Sequence, residues 1–314
     1  WVWGGGWLAN LGRSIGWGNG AVDFAGSGVV HMIGGAVALA GAAVIGPRIG
    51  KFNKDGSANT IPGHSISLGI LGTIILFFGW FGFNPGSSLG FVGAFRNLAV
   101  LAAINTLLAG AAGGCSAMLY MWLIHPLRKP DPGMSVNGIL AGLVAITAPC
   151  AFVDIWAAVV IGLIAGVWVC VASVLLEKAK IDDPVGAIPV HFANGFWGVL
   201  AVGIFANGNP DTAAWNGIAT PVKGLLYGGT TQILAQGAEA LSVIVVVGGL
   251  TYVFFKVLAA FKLLRVSREV ELQGLDIPEM GGLGYPQDWE PDLKNLETPK
   301  KGSKGLAKDL EPAL

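Results

Sequence analysis

The chain has 314 residues, 53% of them hydrophobic and only 12% charged, at a formal net charge of zero and a mean hydropathy of +0.65. A soluble domain carries about twice that share of charge, so a soluble globular fold is excluded. A balanced charge also offers no electrostatic footprint for nucleic acid or for an acidic substrate.

In chain order, the sequence opens on WVWGGGWLAN with no signal peptide ahead of the first apolar run, an opening that reads as a cut inside a larger protein. Seven stretches then have the length and composition to span or nearly span a bilayer: roughly 24–46, 66–84, 94–122, 134–152, 155–176, 188–206 and 229–262. Turn-rich joints such as PRIGKFNKDG, FNPGSS and HPLRKPDPG separate them. The break with least polarity is APCAFVD, between the fourth and fifth. Basic residues follow alternate segments: Arg48, Lys51 and Lys54 after the first, Arg128 and Lys129 after the third, Lys178 and Lys180 after the fifth, and Lys262, Arg265 and Arg268 after the seventh. By the positive-inside rule the amino end lies outside and the carboxyl tail in the cytoplasm.

Glycine accounts for 49 residues, many inside the segments, where small side chains let membrane helices approach closely. The expectation is an all-α polytopic membrane protein with a tightly packed transmembrane core over 1–264. From 265 to 314 the chain carries 10 of the 19 acidic and 7 of the 19 basic residues, and reads as a cytoplasmic tail, solvated and disordered over 290–314. The three cysteines, Cys115, Cys150 and Cys170, show no ligand spacing and indicate neither a disulfide scaffold nor a zinc site.

Four histidines are present. His64 and His125 border loops, where capping or interfacial roles suffice. His31, in GVVHMIGG, and His191, in IPVHFANG, share a preceding valine and a glycine four residues on. The first and sixth segments run in opposite senses, so the two histidines are candidates for equivalent places in an inverted repeat, where membrane transporters build their working sites. Side by side in an apolar pore, two imidazoles would share one hydrogen bond and stay mostly neutral. No carboxylate or cysteine at helical spacing completes a metal shell around them, and no positioned nucleophile suggests an enzyme.

Asp23 stands just ahead of the first apolar run, placed to cap the amides of Ala25 or Gly26. A buried carboxylate there also favours a cation. Aromatic faces add to that attraction: Trp3, Trp7 and Trp17 are near in sequence, and FFGWFGFNPGSS ends the second segment on the same side. Trp17 fits an interfacial belt and Trp3 a site, while the hydroxyls of Ser87 and Ser88 are placed to accept from an ammonium group.

VWGGGW (2–7), DFAGSGVVH (23–31), GWFGFNPGS (79–87), DDPVGAIPVH (182–191) and REVELQGLDIPEMG (268–281) together resemble the ammonium transporter family of bacteria, archaea and plants, related to the Rhesus proteins. The resemblance implies an eleven-helix protomer of two inverted five-helix repeats plus a long final helix, assembled as a homotrimer in the cell membrane with one pore per subunit. The seven segments would correspond to helices five to eleven. It further implies that Trp3 and Ser87 border an external ammonium site supported by Asp23, that Phe83 is one ring of a two-phenylalanine gate, and that His31 and His191 are the twin histidines of the pore. The second gate ring belongs to a family helix outside this chain. The implied activity is electrogenic ammonium transport with deprotonation at the mouth, without a cofactor. An ammonium sensor or transceptor is the alternative. Residues 266–285 would couple subunits and help receive a signalling protein of the PII type.

Overall fold

The computed structural model describes residues 1–213 and 215–285. The described residues divide into two units, Trp1–Arg265 and a second that begins at Val266. Among the described residues the first unit contains α1 (Leu11–Ile15), then α2 (Ser27–Ile45), α3 (Ile66–Gly86), α4 (Gly93–Leu123), α5 (Pro132–Thr147), α6 (Ile155–Lys178), α7 (Ile188–Phe205) and α8 (Gln232–Ala260). All of these except α1 and the shorter α5 are long and apolar enough to cross a membrane. In the second unit, α9 (Arg268–Gln273) starts at Ser267, whose hydroxyl accepts from the amide of Val270 at 3.3 Å. The tail expected to be disordered over 290–314 lies outside the described residues.

α4, α5 and α6 pack together as the centre of the bundle. Their contact is made by absent side chains: a methyl group on Gly142 or Gly162 would stand 2.2 or 2.3 Å from the carbonyl oxygen of Ala109. In lipid, where apolar surface gains little by leaving solvent, such backbone approach supplies the dispersion that holds helices together. The outer faces of α3 and the far half of α8 instead present Ile74, Ile75, Phe78, Leu250 and Val253, an apolar surface suited to lipid or further helices.

The fourth stretch, expected over 134–152, ends early. α5 stops at Thr147, because Pro149 brings no amide to continue the helix. Residues 148–153 are nevertheless all buried, Pro149 included. Non-helical backbone at that depth must be satisfied internally, and Asn105 of α4 does so, donating to the carbonyls of Cys150 at 2.8 Å and Val153 at 2.9 Å. Ser27 ties the end of α5 to the start of α2, donating to Val144 O and accepting from Ala148 N, both at 2.7 Å.

α2 and α7 cross where His31 and His191 meet. Each opens with a π-helical turn, Ser27–Met32 and Ile188–Ala193, that contains its histidine. A methyl on Gly35 would collide with the backbone of Phe192 at 2.2 Å, and one on Gly195 with Met32 N at 2.8 Å and Ser27 O at 2.5 Å. Contacts that advance along one helix retreat along the other, so the two helices pass antiparallel. The glycine four residues after each histidine makes room for the residue that follows the other.

Candidate functional site

The local frame of both histidines is set by an aspartate eight residues upstream. Asp23 Oδ1 accepts from the amides of Gly26 (2.8 Å) and Ser27 (2.9 Å), and Oδ2 from Gly28 (2.8 Å) and Val29 (2.9 Å). Asp183 does the same for α7: Oδ1 accepts from Val185, Gly186 and Ala187 at 3.3, 3.0 and 3.1 Å, and Oδ2 from Ile188 at 2.7 Å. Free amides at the start of a helical turn need such acceptors. In both frames the glycine three residues after the aspartate takes a left-handed conformation, with φ of 112° at Gly26 and 78° at Gly186, which an L side chain resists. Of the two amides expected to meet Asp23, Gly26 does so. Ala25 donates instead to Thr147 O at 3.1 Å, because the chain there runs beside the end of α5.

These frames bring His31 and His191 together. Their Nδ1 atoms are 3.2 Å apart, and the rings are stacked 5.2 Å between centroids at 17°. One Nδ1 must carry the shared proton and the other accept it. His31 is buried and His191 half-buried. Around His31, Trp80 stacks at 5.2 Å and 16°, and Phe83 at 5.5 Å and 29°. Trp80 is anchored by its indole N–H, which donates to Thr147 Oγ1 at 3.0 Å. Nε2 of His31 is buried without a hydrogen-bond partner.

Trp3 is fixed to the same frame: its indole N–H donates to the carbonyl of Asp23 at 2.6 Å. Trp3, Asp23 and Trp215 line one polar-rimmed cavity of about 410 Å³. Trp215 in turn donates to the carbonyl of Ser87 at 2.8 Å and stacks on Phe24 at 4.8 Å. The Ser87 hydroxyl donates to Phe83 O at 2.9 Å, so its lone pairs are left to accept. Ser88 is buried and donates to Gly90 O at 2.7 Å, which removes it from the mouth. Trp17, expected at an interface, is half-buried and packs on Val2, Leu8, Leu11, Ala21 and Ala235. His125 Nδ1 accepts from Leu127 N at 3.3 Å in a local turn.

At the opposite end of α2 and α7, Arg48 clasps Asp182 with three donors: its amide at 2.9 Å, Nε at 2.7 Å and Nη2 at 2.9 Å. The guanidinium holds the Asp182 carboxyl below its ordinary range. Among the described residues no three His, Cys, Asp or Glu side chains gather into a metal-holding group.

Several residues of the site escaped sequence reasoning. Asp183 was legible in principle: D-x-x-G-x-x-x-V-H occurs at 23–31 and again at 183–191. Gln232, Gln236 and Glu239 were legible as three polar residues on one face of an apolar helix. Gln236 accepts from Val22 N and donates to Val22 O, both at 2.8 Å, while Gln232 accepts from Asn19 N at 2.9 Å and donates to Gly20 O at 2.8 Å. The two glutamines thus set the strand of chain that delivers Asp23.

Two antiparallel helices with twin aspartate-capped histidine turns, held in a glycine-packed membrane bundle, define a polytopic membrane protein built on the fold of the Amt and Mep transporters. The chain belongs to the Ammonium Transporter Family, which it matches over residues 1–285. It is 47% identical to ammonium transporter Amt2 of Archaeoglobus fulgidus over 288 residues, covering 91% of this chain and 60% of that protein. It is 36% identical to ammonium transporter 1 member 1 of Solanum lycopersicum over 301 residues, covering 91% and 60%. A solved structure described as a sensor Amt protein superposes with a TM-score of 0.77 at 38% identity, over 89% of this chain and 65% of that one. Mep2 of Saccharomyces cerevisiae superposes at 0.73 and 30% identity, over 84% and 56%. The chain therefore spans about three fifths of the length of these curated relatives.

Proposed function

We propose that this chain is the pore-bearing part of an ammonium transporter. The observation that carries the reading is the His31–His191 pair, joined Nδ1 to Nδ1 at 3.2 Å beside Trp80 and Phe83. Ammonium is recruited at the mouth, where the Trp3 ring attracts the cation, Ser87 offers a hydroxyl acceptor and Asp23 supplies the negative potential. Phe83 closes the passage beneath. A bare ammonium ion entering the apolar interior would lose most of its hydration at a cost of several kcal/mol. Giving up its proton at the mouth avoids that cost for ammonia. The histidine pair, neutral and sharing one proton, presents one Nε2 as a donor and the other as an acceptor, and so offers a polar relay between apolar walls. Ammonia and the proton travel by routes that are at least partly separate, and the net movement is of positive charge.

The full-length protein forms a homotrimer in the cell membrane, with the Asp23 end outside and the transmembrane core of 1–264 followed by a cytoplasmic tail. REVELQGLDIPEMG on that tail is the docking element for a PII-type protein. A sensor or transceptor is the second reading, favoured by the likeness to the structure described as a sensor Amt protein. The test is solid-supported-membrane current from full-length protein in liposomes, wild type against H31A and H191A. Each alanine variant should lose about tenfold or more of the ammonium-evoked current. Wild-type currents in both variants would make the histidines structural, and a silent wild type would favour the sensor.

A further inference from the structure

Glu239 is the one buried side chain on the polar face of α8 that the fold leaves unanswered. It is 1% exposed, yet neither carboxyl oxygen has a hydrogen-bond partner. The two glutamines on the same face are fully engaged. A Cβ on Gly28 would lie 2.2 Å from Glu239 Oε1, so this carboxyl rests against the π-turn of α2 in space only glycine leaves open. The amide of that same Gly28 donates to Asp23. Two acidic groups therefore meet across one residue, Gly28.

All four amides of the turn are given to Asp23 and none to Glu239. Two carboxylates cannot both remain ionised side by side in an apolar interior. The donors decide which one keeps the charge, and they select Asp23. Glu239 faces a largely apolar cavity of about 430 Å³ whose walls include Trp3, Val29, Ser242 and Val243. No Lys, Arg or His side chain lines it. Ser242 is occupied, donating to Ala238 O at 2.7 Å. From α7 the neighbour is Val199, and the other titratable group within reach of Asp23 is Cys150.

We infer that Glu239 and Asp23 form a carboxyl pair holding one shared proton, and that this pair is the proton-holding group of the outer site. The inference rests on the transport reading for its role and on geometry alone for its existence. In the resting pair, Glu239 carries the proton and donates to the Asp23 carboxylate, for a net charge of −1. When ammonium beside Trp3 releases a proton, one N–H bond breaks, ammonia leaves neutral, and the proton adds to the pair, whose charge becomes zero. The pair then passes one proton to the histidines at the other end of the same turn, where Nε2 of His31 is unpartnered, and returns to −1. Glu239 touches the reacting proton only through Asp23 and acts as a positioning and storage residue.

The experiment uses full-length protein in liposomes, with ammonium chloride as the probe. Infrared spectra at neutral pH should show a protonated-carboxyl C=O band that shifts when glutamate is ¹³C-labelled at the side-chain carboxyl and disappears in E239Q. The same variant should lose about tenfold of the ammonium-evoked charge, with half-saturating ammonium within about twofold of wild type. Absence of a label-sensitive band in the wild type would overturn the pair without requiring any variant to fold. A band with undiminished E239Q current would overturn its role. A silent wild type that still shows the band would reject transport while supporting the pair, so the two failures are distinguishable.

Discussion

Replacing Asp23 with asparagine removes more than a charge. The carboxylate is fully buried and accepts four amides at 2.8–2.9 Å, two on each oxygen. An asparagine keeps one acceptor oxygen and turns an NH₂ group toward the remaining two N–H donors. From sequence alone, D23N is expected to preserve most of the cap. The geometry argues otherwise, because two charge-assisted bonds are lost and their amides are left without water. At about 1.5–3 kcal/mol for each bond to a charged group, D23N should cost about 3–6 kcal/mol. Asp183 is the internal control: it also accepts four amides but is half-buried. Water can replace part of what D183N removes, so its cost should be nearer an ordinary cap loss of about 0.5–2 kcal/mol. Equilibrium unfolding of purified full-length protein in mixed detergent and SDS micelles would compare the two. Equal destabilisation, or an unshifted D23N, would refute the claim that burial of the donor set dominates.

Asn105→Ala strips the partners from the carbonyls of Cys150 and Val153 and should destabilise by about 1–3 kcal/mol for each, read in the same unfolding assay. Asp182→Asn breaks the clasp with Arg48. Because the Asp182 carboxyl is held below its ordinary range, its contribution is complete above the unfolded value of about 3.9 and is lost as pH falls through the lower folded value. The stability gap between wild type and D182N should therefore be constant near neutrality and close at acid pH. Gly195→Ala places a methyl 2.5 Å from Ser27 O and should force α2 and α7 apart, with loss of the shared imidazole proton visible by ¹⁵N-histidine NMR of full-length protein.

The span pattern was legible because lipid imposes a length on every crossing helix, and six of seven stretches have ends within a few residues of those expected. The exception was α5. Hydropathy continues through APCAFV, but the backbone cannot, since Pro149 lacks the donor and Asn105 stands ready to satisfy the chain once it unwinds. That rescue comes from 45 residues away, where no local pattern shows it. The histidine pair was legible through its flanking valine and glycine. Asp183 was overlooked because its repeat match includes only a few identities spread over nine positions. Trp80 reads as one more apolar residue of α3, and only stacking on His31 distinguishes it. Glu239 was hidden for the opposite reason: a carboxylate inside an apolar helix is conspicuous, but its meaning depends on which neighbour holds the amides.

A centre built from two like turns is made asymmetric by its surroundings. The two D-x-x-G-x-x-x-V-H turns place their rings by the same construction, so the repeat alone gives neither histidine an outer or inner role. The difference lies in what surrounds each aspartate. Asp23 is sealed beneath Trp3, and α8 adds two glutamines and a carboxyl to its side. The glycine of the other turn, Gly186, meets the amide of Asn137, and Asp183 remains half-buried. A carboxylate with four donors and no water keeps its charge only through those donors, so small changes in its neighbour's protonation act strongly on it. A half-buried carboxylate is buffered by solvent and responds weakly. On the transport reading proposed above, proton uptake from ammonium would fall to the Asp23 end, while the repeated geometry sets how the two rings meet. The asymmetry between the two turns comes from α8, which belongs to neither π-turn and contributes no ring to the pair.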